Sequence, residues 1–214
     1  AGAFAFDRAK MIAGDPTASY IYFDIVTIDP TAGGMLPTDA DGVAPPPTAL
    51  HQLFMEFRAD EFGDPADTLR LYEFVPDFTN PPASTLTVRP DLPLAAFDAR
   101  SPATRAINEQ PAPGVSLDAI ADRLMHRLQY RNVGTLSSPQ NRWTGNFTVN
   151  TSGVNPTTAG TYQAGIRWFI LQSAGSSLPT VLDQGTHSPG SGNGATGPNR
   201  WMGSAALDNQ GNLG

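Results

Sequence analysis

Cysteine is missing from this chain and lysine nearly so, with Lys10 standing alone beside twelve arginines. Without thiols there is no disulfide scaffold, no thiolate metal site and no cysteine nucleophile. Export stays open, because large exported β proteins often lack disulfides. Glutamate is scarce as well, at four against sixteen aspartates. Aspartate competes for its own backbone and favours turns and caps, whereas glutamate favours helix interiors. A helical bundle is therefore disfavoured, and an all-β chain with long loops is indicated. Charge as a whole is sparse, at 15% of residues, against about a quarter in typical domains. The net charge of −7 argues against a nucleic-acid or anionic-membrane surface, which needs a basic excess. No apolar run approaches the ~20 residues that cross a bilayer as a helix, so no transmembrane segment is expected.

What is present fits a large β domain. The 214 residues are 40% hydrophobic, enough for a core, and carry 21 glycines and 20 prolines. That much punctuation means short elements joined by turns. The chain opens inside an apolar run, Ala1–Phe6, and closes on a turn signal, Asp208–Asn212, with one apolar residue after it. Both ends read as severed, so the chain is expected to be part of a longer polypeptide.

An internal repeat shapes the expected fold. Phe4-Ala-Phe6 leads through a polar connector to Gly14-Asp15-Pro16 and a strand holding Tyr22. Phe54-Met-Glu-Phe57 leads likewise to Gly63-Asp64-Pro65 and a strand holding Tyr72. A degenerate third copy pairs Asn146–Asn150 with Gly165–Ile170, with Gly153-Val-Asn-Pro156 between them. Repeated hairpins that each leave a face unburied must stack. Strands are expected at 19–27, 50–58, 69–75, 123–132, 142–150 and 164–171, with strand exceeding helix at least threefold. The stretch Ser116–Leu128 mixes helical spacing with alternation. It is read as a short helical turn near Ser116–Asp122, with Ser116 as N-cap, followed by a strand.

Several stretches are also recognisable together: Asp118-x-x-x-Asp122-Arg-Leu-Met-x-Arg-Leu-x-Tyr-Arg-Asn132-x-Gly134, Ala164-Gly-Ile-Arg-Trp168, Gln184-Gly-Thr186 and Asn199-Arg-Trp-Met-Gly-Ser204-x-x-x-Asp208. With Phe6-Asp-Arg-x-Lys-Met11 and Leu36-Pro-x-Asp39-x-Asp-Gly42, they resemble a family of large, mostly uncharacterised exported bacterial proteins of sialidase-like β-propeller architecture. The resemblance covers almost the whole chain. It implies about three partial propeller blades within a single domain spanning 1–214. The blade-like units fall at about 1–35, 36–115 and 116–197, with 198–214 starting the next. It also implies a secreted or extracytoplasmic location, and it supplies no catalytic residues.

Among candidate sites, Asp39-Ala-Asp41 before Gly42 can converge on a hard cation, which makes Ca2+ the one cofactor considered; a polar turn is the plainer reading. Arg123, Arg127, Arg131, Arg142, Arg167 and Arg200 gather in the second half and are candidates for clamping an anionic ligand, since guanidinium is a planar fork. Surface pairing with the aspartates competes with this. Glu56, Glu73, Asp24 and Asp122 lie on predicted strands and could supply a glycosidase pair, though solvent-facing carboxylates are commoner there. His51, His126 and His187 lack zinc spacing, and His126 is expected to pack on an apolar face. Asn146-Phe-Thr148 and Asn150-Thr-Ser152 are glycosylation sequons. Trp143, Trp168 and Trp201 are core anchors or a sugar platform, and Gly190–Gly197 is a loop. The tail from Ser204 to Gly211 loosely resembles a sialidase Asp-box, itself a structural turn.

The reading that joins these observations is a non-enzymatic exported module, structural or binding. Other chains, or further parts of the same polypeptide, would complete its sheet edges, and carbohydrate is the other partner class. The alternatives are a sialidase-like glycoside hydrolase or lyase and a calcium-dependent adhesive module.

Overall fold

The computed structural model describes residues 2–107, 117–190 and 197–214. It is mostly β, with 42% strand and 10% helix, as the excess of turn formers over helix formers requires. A hairpin comes first: β1 (Gly2–Phe6), helix α1 (Arg8–Ala13), β2 (Tyr20–Asp24) and the single-turn α2 (Ile25–Ile28). Then follow β3 (Leu36–Asp41), β4 (Gln52–Arg58), β5 (Thr68–Val75), β6 (Thr85–Val88) and the short β7 (Leu92–Pro93), β8 (Ala106–Ile107) and β9 (Leu117–Asp118). The long strands come last: β10 (Leu124–Asn132), β11 (Gln140–Asn150), β12 (Ala164–Ala174) and β13 (Thr180–His187).

Eight strands form one curled half-barrel in the order β13-β12-β11-β10-β3-β4-β5-β6, with β7 on the side of β5. All neighbours on this path are antiparallel except β10 and β3, which run parallel. That pair joins strands from the expected second and third units into a single sheet.

Alternation along the strands sorts the two faces. The inner face collects Leu53, Met55 and Phe57 from β4, Leu69 and Leu71 from β5, and Trp143, Phe147 and Phe169 from β11 and β12. Curling brings distant strands together, so that Phe57 stacks on Phe147 with ring centroids 4.4 Å apart. A strap, residues 94–99, crosses this face. Its Phe97 meets Phe57 and Phe147 edge-on at 5.8 and 4.9 Å. One end is tied to the β4–β5 connection, where the Phe97 N–H donates to Asp67 at 2.7 Å. The other is tied to the far strands, where the Ala95 N–H donates to Gln184 at 2.9 Å and the Asn150 N–H donates to the Asp98 carbonyl at 2.7 Å. The outer face is covered twice. The β1–β2 hairpin and α2 pack Ala3, Ile21 and Ile25 over Phe54, Tyr72 and Phe74. The C-terminal segment lies over β10–β12, with the Leu207 N–H donating to Gln129 at 2.5 Å.

The six expected long strands are all present, with no end shifted by more than three residues. Three local expectations are corrected. The helical turn at Ser116–Asp122 does not form: Ser116 lies outside the described residues, and Leu117–Asp118 pair with Ala106–Ile107 as strand. Asp118 spends its carboxylate on the Ile120 N–H at 2.8 Å and on Arg105, and Ala119 and Ala121 alternate into a core. Conversely, the connector after Phe6 is a helix, α1, capped by the Asp7 carboxylate on the Lys10 N–H and stopped by Gly14 at φ 64°. The turn at Asp208–Asn212, expected to lack its second strand, closes on the residues after it: Leu207 bridges Leu213, and Ala206 and Gly214 exchange backbone bonds of 3.0 and 2.9 Å.

The two Gly-Asp-Pro hairpins share their register. Phe4 lies opposite Tyr22 on the first, and Phe54 opposite Tyr72 on the second. In both, the glycine ends a helical turn in the left-handed region that a Cβ resists.

Candidate functional site

The densest polar chemistry lies on the outer face of β4 and β5, where alternation points Glu56, Arg58, Arg70 and Tyr72 to the same side. The loop after α2 brings Asp29 down onto them. Glu56, Arg58, Tyr72 and Asp29 are all buried. One Glu56 oxygen accepts from the Tyr72 hydroxyl at 2.7 Å and lies 2.7 Å from Arg58 Nη2. The other accepts from the Gly33 N–H at 2.7 Å. Asp29 Oδ2 accepts from Arg58 at 2.9 Å, Arg70 at 2.8 Å and Tyr72 at 2.9 Å. Its Oδ1 accepts from the Thr31 hydroxyl at 2.7 Å. The single Tyr72 proton thus serves two carboxylates, and the arginines balance the rest.

Electrostatics follow from this wiring. Burial alone would raise the Asp29 pKa, but the bonds from Thr31, Arg70 and Tyr72 outweigh it and hold the group well below the usual carboxylate range. Burial, with Glu56 beside it, pushes the Tyr72 hydroxyl far above its ordinary value. Asp91 and Asp29 keep Arg70 charged. Tyr72 is thereby a hydrogen-bond donor and not a nucleophile, and both carboxylates are saturated with donors. A pocket of about 230 Å³ adjoins the network, lined by Gly33, Glu56, Arg58, Phe62, Asp64 and Asp122.

The sequence candidates fall elsewhere. The parallel pairing of β3 with β10 sets Asp39 opposite Gln129 and Asp41 opposite Arg131. Arg127 reaches Asp39 at 2.5 Å and also pairs with Asp41, which accepts from Gln129 at 2.7 Å as well. Arg131 is 4.0 Å from Asp41 and contacts Asn209. Asp39 and Asp41 thus converge on a guanidinium. Arg123 pairs with Asp122 at 2.9 Å. Arg142 lies opposite Arg131 and donates a hydrogen bond to the Asn141 carbonyl at 3.1 Å. Arg167 points to the inner side, donating to the Ala95 carbonyl and to Gln184 at 2.9 and 2.7 Å. Arg200 donates to the Asn199 carbonyl at 3.0 Å. Arg127 and Arg131 meet at Asp41, and Arg142 shares the face of Arg131, while Arg167 lies on the opposite face, so the six do not gather at one point.

Of the four strand carboxylates only Glu56 joins the network. Glu73 pairs with His51 at 2.8 Å, Asp24 caps α2, and Asp122 binds Arg105 and Arg123. His126 is exposed, contrary to the expected packing, because the strand bulges between Met125 and Gln129. Both sequon asparagines are buried, Asn146 fully, so neither is open to a glycosyl transferase in the folded chain. Trp143 is core and Trp201 packs against the small core around Tyr162, while Trp168 is half-buried under Gly185. The Gly190–Gly197 loop lies largely outside the described residues. Among the described residues, Asp60, Glu61 and Asp67 gather within 4.8 Å of one another. Two of these already bind the strap, Asp67 through Phe97 and Glu61 through Ala99.

Sequence reasoning missed the network because Asp29 lies 29 residues from Arg58 and 43 from Tyr72. The available signal was the alternation of polar with aromatic residues on β4 and β5, where Glu56 and Arg70 face each other in register. Comparison with family models, characterised proteins and solved structures finds no match for this chain.

Proposed function

We propose that the chain is a non-enzymatic, exported structural or binding module whose half-barrel is completed along β13 by a strand from outside it. One observation carries this. β13 is eight residues long and, among the described residues, pairs only with β12, at the end of a sheet that curls half-way round. An open edge offers a row of unpaired N–H and C=O groups that recruit another strand. A single bulge near Leu182 and the charge of Asp183 are its only guards among the described residues. The neutralised arginines and carboxylates support the non-enzymatic half of the reading. The extracytoplasmic half rests on the family resemblance. Its finer form, a β-propeller to which these strands contribute, draws support from the common register of the two Gly-Asp-Pro hairpins.

The test is amide exchange along β13 in the full-length native protein, with a Thr180→Lys/Leu182→Lys variant beside it. Both positions are exposed, and lysines on an edge block pairing. Protection of every second amide that points away from β12, lost in the variant together with assembly size, is the expected result. Fast exchange of those amides in the native protein would overturn the reading.

A second reading, a sialidase-like glycoside hydrolase, has one observation in its favour: two arginines, a tyrosine and two carboxylates meet at Asp29, Glu56, Arg58, Arg70 and Tyr72. It requires the loop bearing Asp29 to lift away and expose the network. Unaltered turnover in Tyr72→Phe would dismiss it.

A further inference from the structure

The first hairpin carries its aromatics the wrong way round for a core. Ala3, Ala5, Ile21 and Phe23 face inward. Phe4, Phe6, Tyr20 and Tyr22 face outward, 49%, 56%, 61% and 47% exposed. They sit in two cross-strand pairs, Phe4 opposite Tyr22 and Phe6 opposite Tyr20. The rings touch one another: Phe4–Tyr22 centroids are 4.6 Å apart, Phe6–Tyr20 are 6.2 Å, and Phe4–Phe6 are 6.1 Å and within 11° of parallel. The result is a platform two rings wide and two rings long. Exposed large aromatics in one contiguous patch mark an interaction site more often than scattered ones do.

The platform is twisted, with the planes 39° apart at Phe4–Tyr22 and 49° apart at Phe6–Tyr20. A Cβ on Gly2 would stand 2.6 Å from the Tyr22 ring and 3.3 Å from its hydroxyl. The absent side chain lets that ring lie down along the strand. Mutual packing fixes the rings before any ligand arrives, so little side-chain entropy is lost on binding. No cation stands on either strand, and the one carboxylate, exposed Asp24 at the end of the hairpin, accepts from the Val26 N–H as the α2 cap. Neither tyrosine hydroxyl has a partner among the described residues, so both can donate and accept outward.

We infer that this face binds a neutral polysaccharide. Pyranose rings present apolar C–H faces that stack on aromatic planes, and a rim of hydroxyls that the two tyrosines can meet. Strands without a cation give no attraction to an anionic glycan or a nucleic acid, both of which need cations. The hairpin is a separate sheet packed over β4 and β5, which lie towards the other end of the large sheet from β13, and failure of its site would leave the strand-addition reading untouched.

The experiment is affinity electrophoresis of the full chain through gels containing neutral polysaccharides (xylan, glucomannan, soluble cellulose derivatives) and through polygalacturonate. Retardation by at least one neutral polymer, unchanged by salt, is expected. It should fall roughly tenfold for each ring removed in Phe4→Ala, Tyr22→Ala and Tyr20→Ala, as loss of one stacking contact implies. Tyr20, the most exposed, is the control against misfolding, and thermal melts of each variant accompany the gels. No retardation by any neutral polymer, retardation confined to polygalacturonate, or self-association abolished by the same variants would each overturn the proposal, the last by making the face a contact between copies.

Discussion

The two Gly-Asp-Pro hairpins place a phenylalanine opposite a tyrosine at the same step, yet Tyr22 is 47% exposed and Tyr72 is fully buried. Local sequence made the pair in each case. What lies on top decided its use. Over Tyr72 the chain returns with Asp29 and buries the hydroxyl between two carboxylates. Over Tyr22 nothing among the described residues returns. The same motif thereby serves as an internal staple in one place and as an outward surface in the other.

Arg58→Ala breaks the contrast most severely. It leaves Asp29 and Glu56 buried with one counter-charge fewer, and loss of one partner from a buried ion pair costs about 3–5 kcal/mol. Denaturant unfolding should record that loss, against less than ~1 kcal/mol for Tyr20→Ala on the open hairpin. An equal effect at both positions would erase the distinction between the hairpins.

Acid should separate them next. Asp29 has its pKa lowered in the folded state, from an ordinary 3.8, so the unfolded chain takes up this proton first as pH falls. The stabilisation is therefore full above the unfolded value and is lost as pH drops from about 4 towards the folded value. A stability-against-pH series from 6 to 2 should decline over that window, and Asp29→Asn should make the decline shallower, the remainder coming from other lowered carboxylates such as Asp98 and Asp122. The open hairpin has a lowered carboxylate too, exposed Asp15 held by Thr17, so Asp15→Asn is the comparison and should change the series less than Asp29→Asn.

The smallest effect is at Gly2. Gly2→Ala forces only the far end of the Tyr22 side chain to move, so stability should change by less than about 0.5 kcal/mol. Tilting that ring should nonetheless reduce polysaccharide retardation. A destabilisation above ~1 kcal/mol would mean that the ring is structural.

Much of the fold was legible. Alternation of large apolar residues located β4, β5 and β10–β12, because burial of one sheet face imposes period two whatever the topology. The site was less so. Arg127 and Arg131 were found as charges, but their partners Asp39 and Asp41 lie 88 residues from Arg127 and Gln129. Only the parallel β3–β10 pairing brings them within reach. The segment after Ser116 misled because small residues such as Ala119 and Ala121 satisfy helical spacing and alternation alike.

By itself the sequence determined the class and the elements: turn-forming aspartates, glycines and prolines, an arginine-rich and thiol-free surface, and strands long enough to curl. These follow from local backbone preference and from the side-chain period, which neighbours in sequence already contain. Tertiary structure alone decided which charges met, which of two matching tyrosines was covered, that the sequon asparagines were buried, and that β13 pairs with β12 alone among the described residues. Each of these depends on elements distant in the chain being folded into contact, and local preference holds no information about that distance.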